Sequence, residues 1–240
     1  MTVSIIVPTY NCAEVLSEMF DSILCQTFTD YEVVIIDGAS TDGTMEIVYA
    51  AQSRFPKGCL RYISEPDGGI YDAMNKGISL SRGEWLYFMG ADDRLYDSQS
   101  LQRLSSFLQD PAEVVMCDVH SPRRGRCRSR FTFMTWLRNT MHHQGLVYRR
   151  SVFRDRKYDV TLHVMGDYDM NLWLYDRECR TRRARFVLAT HLPGGLSGMV
   201  RWVNYAEETR VRNRYLHNPV CQAFCAAVGV LKYCVKKCLC

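Results

Sequence analysis

Five short, mostly apolar runs set what this chain can fold into. They are Ser4–Val7, Glu32–Ile36, Leu60–Ser64, Trp85–Met89 and Val114–Cys117. Runs of this length, without regular polar alternation, read as strands buried on both faces of a parallel sheet. Helical patterns lie between the first four. Ala13–Gln26 places Val15, Leu16, Met19, Phe20, Ile23 and Leu24 on one face, Thr44–Arg54 follows the second strand, and Tyr71–Ser81 follows the third. Strand–helix–strand repetition through Asp118 implies right-handed crossovers and an α/β sandwich. In such sheets ligands bind beyond the carboxyl ends of the strands, so chemistry is sought in the residues just after each one.

The pattern changes after Asp118. His120–Arg130 is basic and irregular and reads as a loop. A short helix near Phe133–Asn139, a strand at Leu146–Arg149, a helix over Gly166–Cys179 and a strand at Arg185–Thr190 follow. His191–Gly198 reads as a glycine-rich turn, and Arg201–Leu216 and Pro219–Leu239 as closing helices. With 240 residues, no internal repeat and no long linker, one large core is expected. The division read from the sequence is a domain over 1–216, with halves 1–118 and 119–216, and a cysteine-rich amphipathic helix over 217–240.

The strand ends are acidic. The first ends in Pro8-Thr9-Tyr10-Asn11, the second in Asp37-Gly38-Ala39-Ser40-Thr41-Asp42-Gly43, the third leads into Glu65-Pro66-Asp67-Gly68-Gly69, and the fourth into Gly90-Ala91-Asp92-Asp93. Carboxylates gathered at one edge repel unless a cation sits among them. Mg²⁺ or Mn²⁺ bound through hard oxygens, with substrate phosphates completing the shell, answers that need and points to a nucleotide ligand. No dinucleotide fingerprint or P-loop is present. The plain alternative is that Asp92 and Asp93 cap a helix while Asp37 and Asp42 make turns.

Four segments, SIIVPTYN, VVIIDGASTDGT, EPDGGIYDAMNKGI and GEWLYFMGADD, resemble the family 2 glycosyltransferases of the GT-A fold, in the usual order and over roughly residues 1–200. The closer similarity is to bacterial enzymes of colanic acid, O-antigen and capsule synthesis. The resemblance implies a GT-A type, Rossmann-like α/β/α sandwich with a mostly parallel sheet and a C-terminal helical extension. It implies metal-dependent, inverting transfer from a nucleotide-sugar, usually a UDP-sugar, to a hydroxyl of a glycan or polyprenyl-linked acceptor in cell-surface polysaccharide synthesis. By position, Pro8 and Tyr10 line the nucleobase pocket, Asp37 hydrogen-bonds the base, and Asp67 sits by the donor nucleotide. Asp93 is the direct Mn²⁺ or Mg²⁺ ligand, with Asp92 nearer the ribose or metal. Asp167 is the catalytic base, with Asp169 as the fallback. Two departures stand out: Gly90 and Gly166 occupy positions where many members carry an acid. His143-Gln144 matches a frequent His-Gln pair, and Gly194-Gly195-x-Ser197 matches a loop after the last strand. His191 is expected to stay off the metal.

Other classes are weighed against this reading. A nucleotidyltransferase would carry a glycine- and arginine-rich triphosphate loop after the first strand, and Pro8–Asn11 is no such loop. A catalytically silent binding protein is the other alternative. Net charge is +4, and Arg123–Arg130 lacks interleaved aromatics, so nucleic acid is not expected as a partner. The 11 cysteines are odd in number, and five fall within 221–240, which argues against a disulfide framework. MTVSIIVPTYN lacks a basic start and cleavage site, and no membrane span is expected, so a cytoplasmic protein is read. The tail offers Cys221, Phe224, Cys225, Val228, Leu231, Val235 and Leu239 as one stripe, with Lys232, Lys236 and Lys237 at its end. It reads either as a closing helix or as an in-plane helix on the anionic inner face of a membrane, helped by Arg123–Arg130 and Arg177–Arg185. A zinc site from Cys221, Cys225, Cys234 and Cys238 has the wrong spacing.

Overall fold

The computed structural model describes residues 1–192 and 202–239. Nine strands form one sheet: β1 (Val3–Thr9), β2 (Tyr31–Asp37), β3 (Leu60–Ser64), β4 (Trp85–Phe88), β5 (Arg94–Leu95), β6 (Val114–Ser121), β7 (Gly125–Arg128), β8 (Leu146–Arg149) and β9 (Thr181–Thr190). Their order is β3-β2-β1-β4-β8-β6-β9-β5, with β7 paired to β6. The β3-β2-β1-β4 portion is parallel throughout. Beyond it β8 runs opposite to both β4 and β6, and β6 and β9 run parallel.

Alternation along the strands loads both faces. Val3, Ile5, Val7, Val33, Ile35, Trp85 and Tyr87 join α1 (Ala13–Leu24) and α2 (Thr44–Gln52) in one core. Ile6, Leu86 and Phe88 point the other way, to α3 (Ile70–Leu80) and α6 (Gly166–Asp176). Because successive strand side chains point to opposite faces, one run serves two layers, which is why these runs show no polar alternation. Two short helices, α4 (Ser100–Ser105) and α5 (Val152–Asp155), complete the body together with α7 (Trp202–Asn213) and α8 (Pro219–Leu239).

Several expectations need correction. His120–Arg130 is not an irregular loop: β6 continues to Ser121 and turns back as β7, with Gly125 at φ 67° in the turn. The charged side chains hid a strand whose exposed positions are arginines. The strand expected at Arg185 starts at Thr181, and the helix expected over Phe133–Asn139 is one 3-10 turn, Phe133–Trp136. The tail also differs. Pro219–Lys237 is, by length and composition, apolar enough to cross a membrane, with mean hydropathy 1.2, because cysteine and alanine count as apolar. Its expected stripe splits in two. Cys225, Gly229 and Lys232 turn toward α7, where Lys232 meets Glu208 at 3.1 Å, while Val220, Phe224, Leu231 and Val235 are exposed.

Candidate active site

The ends of β1, β2 and β3 interlock through short polar side chains. Asp37 closes β2 with 0% exposure. Its carboxylate accepts from the Ser40 amide (2.9 Å) and from the hydroxyls of Ser40 (2.5 Å), Ser64 (2.6 Å) and Thr9 (3.1 Å). Burial works against the charge, but these donors outweigh it and hold the pKa below the usual carboxylate range. Asp37 is therefore the floor of the strand-end site, and a base would reach it only by displacing one of these donors. Asp42 behaves as its turn position suggests, accepting from Thr44 N (3.0 Å) at the head of α2 and from Ala13 N (3.0 Å).

Above this floor Tyr10 is 68% exposed and Pro8 is half-buried. Tyr10 and Asp67 converge on Gly38: a β-carbon there would lie 2.8 Å from Asp67 Oδ2 and 3.3 Å from Tyr10 Cδ2. Four of the positions singled out from the sequence thus meet around one point, with Asp37 beneath Tyr10, Gly38 and Asp67. A cleft of about 730 Å³ runs from Tyr10 along the head of α1 to Asp42 and Asp92.

The β4 end supplies the carboxylate pair. Asp93 is 1% exposed; its Oδ2 accepts from Gly90 N (2.9 Å), and its Oδ1 lies 3.1 Å from His191 Nδ1. Gln144 Nε2 reaches both Asp93 Oδ1 (3.5 Å) and His191 Nδ1 (2.9 Å). His191 therefore touches the carboxylate expected to be the metal ligand. A hydrogen bond donated by the ring to Asp93 raises the imidazole's pKa. Burial and then the charge of Asp93 push the Asp92 carboxyl up, while His191 and His143 oppose. A carboxylate pair under this strain is relieved by a cation, and its donors are hard oxygens with one imidazole. Among the described residues no three His, Cys, Asp or Glu side chains close a metal site. An open set of few protein ligands fits Mg²⁺ or Mn²⁺, which take substrate oxygens and water for the rest. Gly90 has a steric reason: a β-carbon there would sit 2.8 Å from Asp93 Oδ2 and 2.9 Å from Asp92 Oδ1.

The second carboxylate stands at the head of α6. Asp167 Oδ2 accepts from Asn139 Nδ2 (3.0 Å) and Oδ1 from Tyr168 N (2.8 Å), while Asp167 N donates to the Tyr71 hydroxyl (3.3 Å). Desolvation raises its pKa, against the opposing effect of His143. The charge of His143 favours the ionised form of both Asp92 and Asp167, so it links the strand-end pair and the helix head electrostatically. Asp169, the fallback base, is buried and engaged by Arg156 and by Arg214 (3.1 Å), so it serves as a structural anion. Asp167 stands one residue inside the helix, which begins at Gly166 with Met165 before it.

Three positioning residues escaped the sequence reading. Glu207 of α7, 5% exposed, accepts from the amides of His163 (2.8 Å), Val164 (2.7 Å) and Met165 (2.8 Å), satisfying the peptides that lead into α6. Tyr71 donates to Val164 O (2.7 Å) and stacks on Tyr158, and Asn75 exchanges two hydrogen bonds with the Tyr158 backbone. The Tyr71 ring explains Gly166: a β-carbon there would lie 2.7 Å from Tyr71 Cζ. The Gly194-Gly195-x-Ser197 loop lies outside the described residues.

Residues 4–180 match the family described as glycosyl transferase family 2. A PGL/p-HBAD biosynthesis glycosyltransferase of Mycobacterium bovis is 35% identical over 204 residues, 82% of this chain and 79% of the relative. The chondroitin synthase of Pasteurella multocida is 37% identical over 108 residues, 45% of this chain and 11% of that protein. Among solved structures, S. aureus TarS with UDP-GlcNAc superposes with TM-score 0.71 at 19% identity, covering 96% of this chain and 72% of the other. The mannosyltransferase PcManGT of Pyrobaculum calidifontis, with GDP-Man and Mn²⁺, gives 0.72 at 21% identity over 95% and 73%. These likenesses establish the GT-A fold of this chain.

Proposed function

The chain belongs to glycosyl transferase family 2, and from that premise we propose that it moves a sugar from a nucleotide-sugar, best a UDP-sugar, to an acceptor hydroxyl with inversion. Support for the donor comes from solved relatives that hold UDP-GlcNAc and GDP-Man. The observation that carries the reading is the buried Asp93 beside Asp92 at the end of β4, held by Gly90 N and His191, together with Asp167 held by Asn139 and Tyr168 N at the head of α6. Tyr10 and Pro8 flank the base, Asp37 and Asp67 order the strand ends beneath it, and Asp93 with Asp92 holds the metal. When bound, Mn²⁺ or Mg²⁺ offsets the charge of the departing diphosphate. The chain's own part is positional and protolytic. Asn139 and Tyr168 N fix the Asp167 carboxylate, and Asp167 takes the proton of the acceptor hydroxyl as it attacks. A carboxyl of raised pKa is a better matched base for that proton than an ordinary aspartate.

The test is donor binding. Nucleoside diphosphates should raise the melting temperature with Mn²⁺ and lose that effect in excess EDTA. Asp93→Ala should weaken metal-dependent binding by at least about tenfold, or ~1.4 kcal/mol. Binding unchanged by EDTA and by the substitution removes the metal from this reading.

The outward stripe of α8 supports an anionic membrane surface as a partner and a cell-surface glycan or lipid-linked acceptor. Val220, Phe224, Leu231 and Val235 share that face, and Lys236 and Lys237 end the helix. Flotation with phosphatidylglycerol vesicles should be lost when Phe224, Leu231 and Val235 become serine. Retained flotation removes the membrane from the reading.

A further inference from the structure

A second cleft, also about 730 Å³, opens between β6, β7 and β9 and is lined by Arg126, Arg128, Arg130, Arg183 and Arg185. The strand period brings them together: Arg126 and Arg128 alternate on β7, and Arg183 and Arg185 on β9. The β6–β9 register slips between Met116, paired with Arg183, and Asp118, paired with Val187. Such a bulge re-aims side chains, and here it lies beside Arg185. One carboxylate answers these five cations. Asp118, 1% exposed, accepts from Arg126 Nε (2.6 Å) and pairs with Arg183 on its other side. Arg128, Arg130 and Arg185 are exposed and make no ion pair among the described residues. Guanidinium groups held this close, with so little counter-charge, match a multiply charged anion, and their forked donors match phosphate oxygens.

The cleft adjoins the acceptor side of the site rather than the donor edge. Arg130 O accepts from Thr140 (2.9 Å), and the preceding Asn139 holds Asp167. Phe131, in the cleft wall, stacks on Tyr175 at 5.4 Å between centroids. Tyr175 lies eight residues along α6 from Asp167, a helical rise of about 12 Å. The cleft wall thus meets α6 toward one end and Asp167 stands at the other. Just beyond Phe131, the apolar Phe133 and Met134 are 75% and 42% exposed.

We propose that this arginine cleft is a subsite for a diphosphate that links the acceptor sugar to its lipid, holding the acceptor while its hydroxyl faces Asp167. The proposal rests on the reading of Asp167 as the base. Its test uses the full chain with UDP and Mg²⁺ saturating the donor edge, titrated with inorganic pyrophosphate and with geranyl diphosphate. Both should bind. The triple substitution R128Q/R130Q/R185Q should weaken both at least tenfold while leaving UDP affinity within twofold. The matching lysine variant, which keeps charge but not the fork, should recover only part of the loss. Absence of binding, displacement by UDP, or affinity unchanged in the triple glutamine variant and in Arg185→Gln overturns it. Vesicles containing phosphatidylglycerol separate the other source of phosphate. If the triple variant loses flotation but keeps geranyl diphosphate affinity, the cleft reads membrane headgroups and the acceptor subsite falls. A single-stranded oligonucleotide that displaces pyrophosphate from the cleft also overturns it. Asp167→Asn should leave pyrophosphate binding intact, so a wrong base and a wrong subsite fail in different assays.

Discussion

The strand-end edge and the head of α6 differ in how far their carboxylates rely on local partners. At the edge each one has a partner nearby in the chain, Ser40 for Asp37, Thr44 for Asp42 and Gly90 for Asp93, beside others from neighbouring elements. At the helix head only Tyr168 N is local, and the other partners are distant. Asn139 reaches Asp167, Tyr71 reaches its amide, and Glu207 carries the peptides before it. A locally braced site survives small movements between layers. A site braced from three elements depends on their packing, which suits a residue whose protonation must be tuned. On the proposed reading the edge governs binding and the helix head governs rate.

The largest break in that comparison is Asp167→Asn. It should lower kcat by about 10³-fold, within the usual range for a general base, and leave nucleoside diphosphate affinity within twofold. Normal turnover in the variant would sink the assignment of the base.

Glu207→Gln comes next, and it asks whether the distant brace matters. An amide can keep one acceptor oxygen, but its NH₂ then faces backbone N–H groups that need acceptors. Losing charge-assisted bonds of this kind costs about 1.5–3 kcal/mol, and kcat should fall by roughly tenfold as the helix head loosens. Donor affinity should hold. An equal loss of donor affinity and rate would mean that edge and helix head are not separable.

The same contrast explains what the sequence disclosed. The parallel half was legible because its strands are continuous apolar runs and because Asp37, Asp42 and Asp93 each find one brace within the motif that contains them. Asp93 and Asp167 could be placed by motif position. Glu207 could not, because an acid in the middle of a charged helix looks like a solvated face, and only tertiary packing puts it under the α6 peptides. Gly166 looked like a missing acid until the Tyr71 ring was seen over it. The arginines of β7 and of the first residues of β9, Arg182 and Arg183, were legible as charge but not as strand, since basic side chains replace the apolar ones that mark a strand.

His143 gives the finest test, because its charge acts on a carboxylate in each of the two regions being compared. Its charge lowers the pKa of both Asp92 and Asp167, while burial raises each. With Asp167 as the proposed base, transfer needs it as a carboxylate, so the rate should fall as pH drops through its folded pKa, and that acid limb should lie above the range of an ordinary aspartate. Replacing the imidazole, as in His143→Gln, removes the group that favours the charged form. The acid limb of kcat should then move to higher pH, with the plateau on its alkaline side nearly unchanged. The low-pH loss should appear in kcat more than in donor affinity if Asp167 carries it. If the limb moves in metal-dependent donor binding instead, His143 acts through Asp92, and the imidazole belongs to the edge rather than to the helix head. A limb that stays put or moves down would break the link between the two carboxylates altogether.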